Sequence, residues 1–340
     1  MRVVLTILDS MPPGAVSPES TPNLWRQVLE GGRAPIGALS LPVSVTYSNH
    51  AAFVTGIGPQ QTGLWGNAAW VDGRFTSTYK AGPRATTLFD RCIAADRRSV
   101  VVLGDHKLVP TMGAQNAAEV WPPTGAAPEG IPLDEYGYPA NSAVIDAASS
   151  FDLKADFVVL HLNEPDTTLH LHGPDSPEFA EQVRHCDTDY GQLLSLLEPD
   201  WDDTVLISIS DHQQEAITHP ECVDLKEACT QQGWNAKVIH DGTAAIIVGD
   251  VSRESVRAVD GVEGVIIADH QTLLAWPDPG KMFGTGQPTA KGNHGSPRCR
   301  PQMAIVSGGH EAVPELARQI ESVQPSSLTW APLIQNLLGI

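Results

Sequence analysis

The chain has 340 residues, with 40 Asp and Glu against 21 Lys and Arg, for a formal charge of −19. Apolar residues make up 41%, an ordinary globular composition that excludes a disordered chain. Such an acidic balance lacks the basic face that a nucleic-acid backbone or an anionic bilayer requires, so neither is an expected partner.

The first apolar run, Val3–Leu8, is too short for a signal segment and ends in Asp9, so it reads as a strand. Nothing elsewhere approaches a membrane span. The five cysteines (Cys92, Cys186, Cys222, Cys229, Cys299) are irregularly spaced and include no CxxC pair, which signals neither a disulfide framework nor a thiolate metal site. A cytoplasmic protein is the expectation.

Thr21–Glu30 reads as a helix, with Thr21 as N-cap, Pro22 at the first helical position and Gly31-Gly32 as its stop. In Leu41–Asn67, Thr46 precedes Ser48-Asn49, a good N-cap pair, and Ala51–Thr55 suits the helix that follows. Further apolar β-branched runs are Ser99–Leu103, Phe157–Leu162, Thr204–Ile209 and Met303–Val306; Ala143–Ser149, Pro177–Leu197 and Leu328–Leu338 suit helices. Continuous apolar runs without alternation fit strands buried on both faces. The expected fold is α/β, with a mostly parallel central sheet covered by helices on both faces.

Residues 213–290 carry a pattern of their own. Val238–Ile239, Ala244–Val248 and Val262–Ile267 read as strands, and Glu254–Val259 as a helix. The expected organisation is a core of residues 1–212 and 291–340 with an α/β cap inserted at 213–290. A continuous larger sheet is the alternative.

Ligands of open α/β sheets bind beyond the carboxyl ends of the strands. Val3–Leu8 runs into Asp9, Phe157–Leu162 into Glu164-Pro165-Asp166 with His170 beyond, and Thr204–Ile209 into Asp211-His212. Gly292-Asn293-His294-Gly295 stands ahead of the last strand. Asp and neutral His in this pattern suit zinc or manganese. Thr46, before a helix N-terminus, sits where free N–H groups favour an anion, and a divalent metal can activate its hydroxyl as a nucleophile.

These motifs resemble the alkaline phosphatase superfamily, in its branch of nucleotide pyrophosphatase/phosphodiesterases and phosphonoacetate hydrolases. The matching stretches are Thr46-Tyr47-Ser48-Asn49-His50 with Val54-Thr55-Gly56, Thr62–Asn67, Glu164–Pro174, Ser210-Asp211-His212-Gln213 and Gly292-Asn293-His294-Gly295, in the family's order. The resemblance implies an alkaline phosphatase-like fold and two divalent metals, zinc foremost, with manganese or iron(II) compatible. It implies that Asp166, His170 and His294 hold one metal. Asp9, Asp211 and His212 hold the other, together with Thr46, the nucleophile. Asn67 is implied as a donor to the phosphoryl group beside the Thr46 N–H. Departures are Ser48 in place of proline and Gln213 in place of glycine. His172 matches no ligand position and reads as a neighbour of the site, while His50 reads as a packing residue.

The substrate expected from this branch is small and phosphorylated, a phosphodiester or nucleotide diphosphate cleaved through a phosphothreonine. Trp65, Trp70 and Tyr79 could wall a nucleotide base. The alternative is a small phosphonate: Lys107 in Gly104-Asp105-His106-Lys107-Leu108 resembles a lysine that grips the carboxylate in phosphonoacetate hydrolases. Asp105 stands in place of their other lysine and would repel that carboxylate. Asn67, Lys107 and Trp65 are thus the expected substrate contacts. A non-catalytic metal-binding module of the same fold is the remaining alternative, and the retention of Thr46 with every ligand weighs against it.

Overall fold

A computed structural model describes residues 1–123 and 126–340. The two main sheets contain β1 (Arg2–Leu8), β2 (Gly32–Arg33), β3 (Ser99–Leu103), β4 (Glu119–Trp121), β5 (Phe157–Leu162), β6 (Thr204–Ile209), β7 (Asn235–Asp241), β8 (Ala244–Asp250), β9 (Val262–Ile267), β10 (Thr272–Pro277) and β11 (Ala304–Ser307). The central sheet has the order β2-β11-β6-β1-β5-β3-β4. Strands β6, β1, β5, β3 and β4 are mutually parallel, and β11 runs antiparallel to β6 and β2. The short edge strands β2 and β4 have too few residues to register as periodic signals in the sequence.

Burial explains why the strand sequences do not alternate. Val3, Leu5 and Ile7 face one layer with Phe157, Val159, Val205 and Ile207, where helices Thr46–Thr55, Val313–Ser322 and Trp330–Leu338 cover the sheet. Val4, Leu8, Val158, Leu160 and Leu206 face the other layer, under helices Pro22–Glu30, Asn141–Ser149 and Pro177–Leu197. A strand apolar on both sides stays put only if helices remove both faces from water. The mostly parallel, doubly covered sheet expected from these runs is what the chain forms.

Three local expectations need correction. Helix Thr46–Thr55 begins at Thr46, not after Ser48-Asn49. Asn49 does not cap it: its Nδ2 donates to the Val45 carbonyl and its Oδ1 accepts from Leu41 N–H and Ser327 Oγ. Thr21 precedes helix Pro22–Glu30 but donates its hydroxyl to backbone carbonyls instead of capping. The free N–H groups of Asn23 and Leu24 are taken by Asp187 of helix Pro177–Leu197, at 3.0 and 2.9 Å. The segment after β6 also contains one strand more than expected, β10, which is central in a four-stranded antiparallel sheet of order β7-β8-β10-β9.

That sheet buries Ala245, Ile247, Val265, Leu273 and Ala275 on one side, beneath Leu225 and Val256 of two short helices. Its other side packs Ala244, Ile246, Val248 and Leu274 against Val43, Val45 and Trp65. Arg298 adds a polar tie, pairing with Glu215 at 2.5 Å and with Glu263 of β9. Among the described residues no helix is long and apolar enough to cross a membrane.

Replacing Asp187 by Ala should strand two helix N–H groups and the Asn23 amide, for a loss of about 2–3 kcal/mol in urea unfolding. An unchanged midpoint would show that another group caps helix Pro22–Glu30.

Candidate functional site

Parallel strands place their carboxyl ends on one edge, and an antiparallel strand presents its amino end there. Asp9 follows β1, Asp211-His212 follow β6, and Asp166 begins helix Asp166–His172 just after β5. His294 reaches the same edge from the segment that leads into β11, where Gly292-Asn293 pair with Glu215-Ala216. Four strand connections thereby deliver these five Asp and His residues to one edge.

Asp166, His212 and His294 form one group whose ligand atoms lie within 4.8 Å of one another, and Asp9, Asp211 and His212 form a second. His212 belongs to both: its ring stacks on His294 at 3.9 Å between centroids. Its Nε2 lies 3.1 Å from Asp211 Oδ2 and 3.9 Å from Asp9 Oδ1. His170 Nε2 lies 3.5 Å from Asp166 Oδ2, and the His170 and His294 rings are 5.0 Å apart. Ring orientation is set from behind. His170 Nδ1 faces the Gly292 carbonyl at 3.0 Å and His294 Nδ1 faces the Ser44 carbonyl at 3.1 Å. Each carbonyl requires a proton on Nδ1, which leaves the Nε2 lone pair for a metal.

Do these residues fit a divalent ion? Asp9 Oδ1 and Asp211 Oδ2 are fully buried and accept no hydrogen bond. Burial pushes the Asp9 carboxyl well above the ordinary range, and the Asp211 charge adds to the rise. Burial pushes Asp211 the same way, but His212, His50 and the Ser10 N–H together outweigh it and hold that carboxyl far below its usual value. Burial drives the His294 imidazole well down, so it is neutral. The buried carboxyl groups of Asp9 and Asp211, the neutral His294 ring and the His212 ring, whose protonated form Asp211 favours against burial, form a donor set that a divalent cation would satisfy by displacing their protons.

Thr46 is the first residue of its helix, with Oγ1 3.3 Å from His212 Nε2. Asn67 sits opposite. Its Oδ1 accepts from Tyr47 N–H at 3.1 Å, which leaves Nδ2 as the donating end. His50 does not join the Thr46 hydroxyl; its Nδ1 binds the Thr46 carbonyl at 2.9 Å, and its ring packs on His161, whose Nε2 lies 3.2 Å from Asp9 Oδ2. With Asp9 and His161, His50 makes a third ligand group, whereas His170 and His172 lie outside every group among the described residues.

The expected substrate contacts fare unequally. Trp65 is 3% exposed and packs under the second sheet, so it offers no face to a base. The aromatic surface near Thr46 and His170 comes instead from tyrosines: Tyr47 meets Tyr79 edge-on at 6.3 Å, and Tyr136 lies 5.9 Å from the His170 ring. Lys107 Nζ donates to Tyr138 Oη at 3.1 Å, and its backbone N–H binds Asp105 Oδ1 at 2.7 Å. Burial raises the Asp105 carboxyl to about 6.

Several residues at the site carried no sequence signal. Ser10 adopts φ +60°, a strained conformation for serine. From there its Oγ donates to Asp166 Oδ1 at 2.7 Å and its N–H to Asp211 Oδ1 at 3.1 Å. Gln214 Nε2 donates to the same Asp166 oxygen at 2.7 Å. Gln213 turns away and binds the Arg298 carbonyl at 3.0 Å. Asp241, at the end of β7, accepts the Asn67 backbone N–H at 2.6 Å. A serine after a strand-end aspartate was the one visible hint.

Residues 3–271 match the family described as type I phosphodiesterase / nucleotide pyrophosphatase. The chain is 25% identical over 219 residues to mouse ectonucleotide pyrophosphatase/phosphodiesterase family member 1, covering 61% of this chain and 23% of that protein. It thus spans under a quarter of the length of that curated relative. Among solved structures it is similar to murine ectonucleotide pyrophosphatase/phosphodiesterase 5, with TM-score 0.74 and 17% identity over 100% of this chain and 95% of the other. An inactive threonine-to-alanine form of the murine protein in complex with AMP matches equally, and the human counterpart gives a TM-score of 0.75. These likenesses identify the fold as alkaline phosphatase-like.

Metal-stripped protein should be stabilised when a divalent ion is restored, by about 4 kcal/mol at a thousandfold excess over Kd. The readout is the thermal midpoint. No rise, together with no metal retained after gel filtration, would rule out the cation site.

Proposed function

The chain belongs to the type I phosphodiesterase / nucleotide pyrophosphatase family, and on that footing we propose that it hydrolyses a phosphodiester or nucleotide-diphosphate bond through a phosphothreonine on Thr46. The observation that carries this reading is the position of Thr46. Its hydroxyl stands at a helix N-terminus, 3.3 Å from His212 Nε2, at the edge where Asp9 and Asp211 meet. The AMP complex of a solved relative whose threonine was replaced to inactivate it supports the same class of substrate.

In this reading Asp166, His170 and His294 hold one divalent ion, and Asp9, Asp211, His212 and Thr46 hold the other, with zinc the expected metal. When bound, the two ions supply Lewis-acid stabilisation of the charge on the attacking and leaving oxygens. Thr46 Oγ1 gives up its proton to water and attacks phosphorus, the bond from phosphorus to the leaving oxygen breaks, and the leaving group takes a proton from water as it departs. A water molecule then cleaves the phosphothreonine and returns the threonine. Asn67 Nδ2 donates to a nonbridging oxygen, and the helix N-terminus favours the same negative charge. Tyr47, Tyr79 and Tyr136 take the place first assigned to Trp65 as the surface that meets the rest of the substrate.

The phosphonate alternative is weaker. Lys107 is already engaged by Tyr138, and the Asp105 carboxyl lies beside it where a second cation would be needed. Cytoplasmic location belongs to the proposal and rests on five unpaired cysteines, although the relatives' names carry the prefix ecto-.

Thr46→Ala should retain both metals while kcat falls at least about a thousandfold. The panel is bis(p-nitrophenyl) phosphate, p-nitrophenyl thymidine phosphate, a nucleotide sugar and phosphonoacetate, with zinc-loaded protein. Phosphate release from phosphonoacetate alone would overturn the reading, and surviving activity in Thr46→Ala would remove the nucleophile.

A further inference from the structure

The tip of the β7–β8 hairpin reaches from the inserted sheet into the catalytic edge at two points. Asp241 pairs with Ala244 across a two-residue turn, Gly242-Thr243. On one side the half-buried Asp241 carboxylate accepts the Asn67 N–H at 2.6 Å. The approach is so close that a Cβ on Gly66 would lie 2.2 Å from Asp241 Oδ2. On the other side Thr243 N–H donates to the His294 carbonyl at 2.7 Å, and Thr243 Oγ1 accepts from Ser296 N–H at 3.0 Å. Here too there is no room for a side chain. Gly242 has φ +64°, and a Cβ on it would lie 2.2 Å from the His294 carbonyl oxygen.

The hairpin cannot swing free of the core without losing apolar contact, since Ala244 and Ile246 pack against Val43, Val45 and Trp65. Val45 immediately precedes Thr46, and Trp65 lies two residues before Asn67. The same packing therefore fixes the backbone that bears the nucleophile and the phosphoryl donor. A carboxylate that accepts a backbone N–H makes a strong, directional bond, and its loss leaves a half-buried donor without its partner.

We propose that the inserted sheet is part of the catalytic apparatus, with Asp241 as the positioning residue for Asn67 and Thr243 as the positioning residue for His294. This inference rests on the phosphodiesterase reading for its kinetic consequences and on geometry alone for its structural ones. Asp241 acts through the backbone of Asn67, so its removal should lower kcat while leaving substrate capture and metal content intact. Thr243 acts through the loop that carries His294, so its removal should weaken metal binding.

In the zinc-loaded full chain, Asp241→Ala should lower kcat on bis(p-nitrophenyl) phosphate by about 10²–10³, with KM within about threefold and two metals retained. Asp241→Asn keeps an acceptor oxygen and should recover to about three- to tenfold below the parent. In an Asn67→Ala background, Asp241→Ala should add less than about threefold, because the two changes remove one interaction. A full, independent loss in that background overturns the assignment, as does an Asp241→Asn protein identical to the parent should Asp241→Ala fail to fold. Thr243→Val should weaken chelator-competed metal affinity by about 10–100-fold; parental affinity overturns that half. Amide exchange over residues 66–68 separates this inference from the functional reading. If the parent hydrolyses no phosphodiester, the reading fails, whereas faster exchange there in Asp241→Ala still upholds the positioning role and unchanged exchange refutes it.

Discussion

Three carboxylates meet at the edge of a sheet that helices have sealed from water, and two of them are wholly buried. Asp9 and Asp211 could not remain ionised there without a positive partner, and Asp9 already shows the strain in its raised protonation range. Everything around them answers this constraint. His212 lies against both, His170 and His294 offer Nε2 because backbone carbonyls hold their Nδ1 protons, and Ser10 accepts an unfavourable φ to satisfy Asp166 and Asp211 together. Divalent cations would complete the charge balance that the protein alone leaves open.

The same constraint resolves the apparent conflict between an acidic protein and an anionic substrate. The net charge of −19 belongs to the whole chain, whereas the field at Thr46 is set by groups within a few ångströms. Two divalent ions offset four negative charges at a site with three carboxylates, and a helix N-terminus adds positive potential. Electrostatic screening confines the acidic surface's influence to about 10 Å at ordinary salt. A polyanion lying along that surface would be repelled, whereas a single phosphoryl group would meet only the groups around Thr46.

What was readable beforehand follows a physical rule. Strands buried on both faces announce themselves as apolar runs, and polar residues at their carboxyl ends stand out because nothing in the strand requires them. Asp9, Asp166, Asp211-His212 and Thr46 were visible for that reason. Residues that act through the backbone of another segment leave no such trace. Asp241 closes a hairpin and resembles any turn aspartate until the fold brings Gly66 and Asn67 against it. Gln214 and Asp187 likewise bind groups distant in sequence. Trp65 misled because an aromatic residue near a nucleophile serves equally as a wall for a base or as packing beneath another sheet. The start of helix Thr46–Thr55 was misjudged on similar grounds: Asn49 has the composition of a cap, but its amide is held by Leu41, Val45 and Ser327.

The sequence marks of the site and its unmarked supports thus come from different parts of the chain. Asp9, Asp166, Asp211 and His212 follow strands of the parallel sheet, whose ends converge by topology alone, and Thr46 opens a helix packed on that sheet. That topology delivers the residues to one edge but cannot hold Asn67 or His294, which lie on connections with no strand directly behind them. The inserted sheet provides the missing backing. Its β8 face is apolar where it meets Val43, Val45 and Trp65, and its tip is polar where it meets Asn67 and His294. Apolar contact fixes distance and polar contact fixes direction, and both are needed where a donor must be placed to within a fraction of an ångström. On the proposed reading, this sheet serves as a buttress for the reaction centre more than as a lid over it.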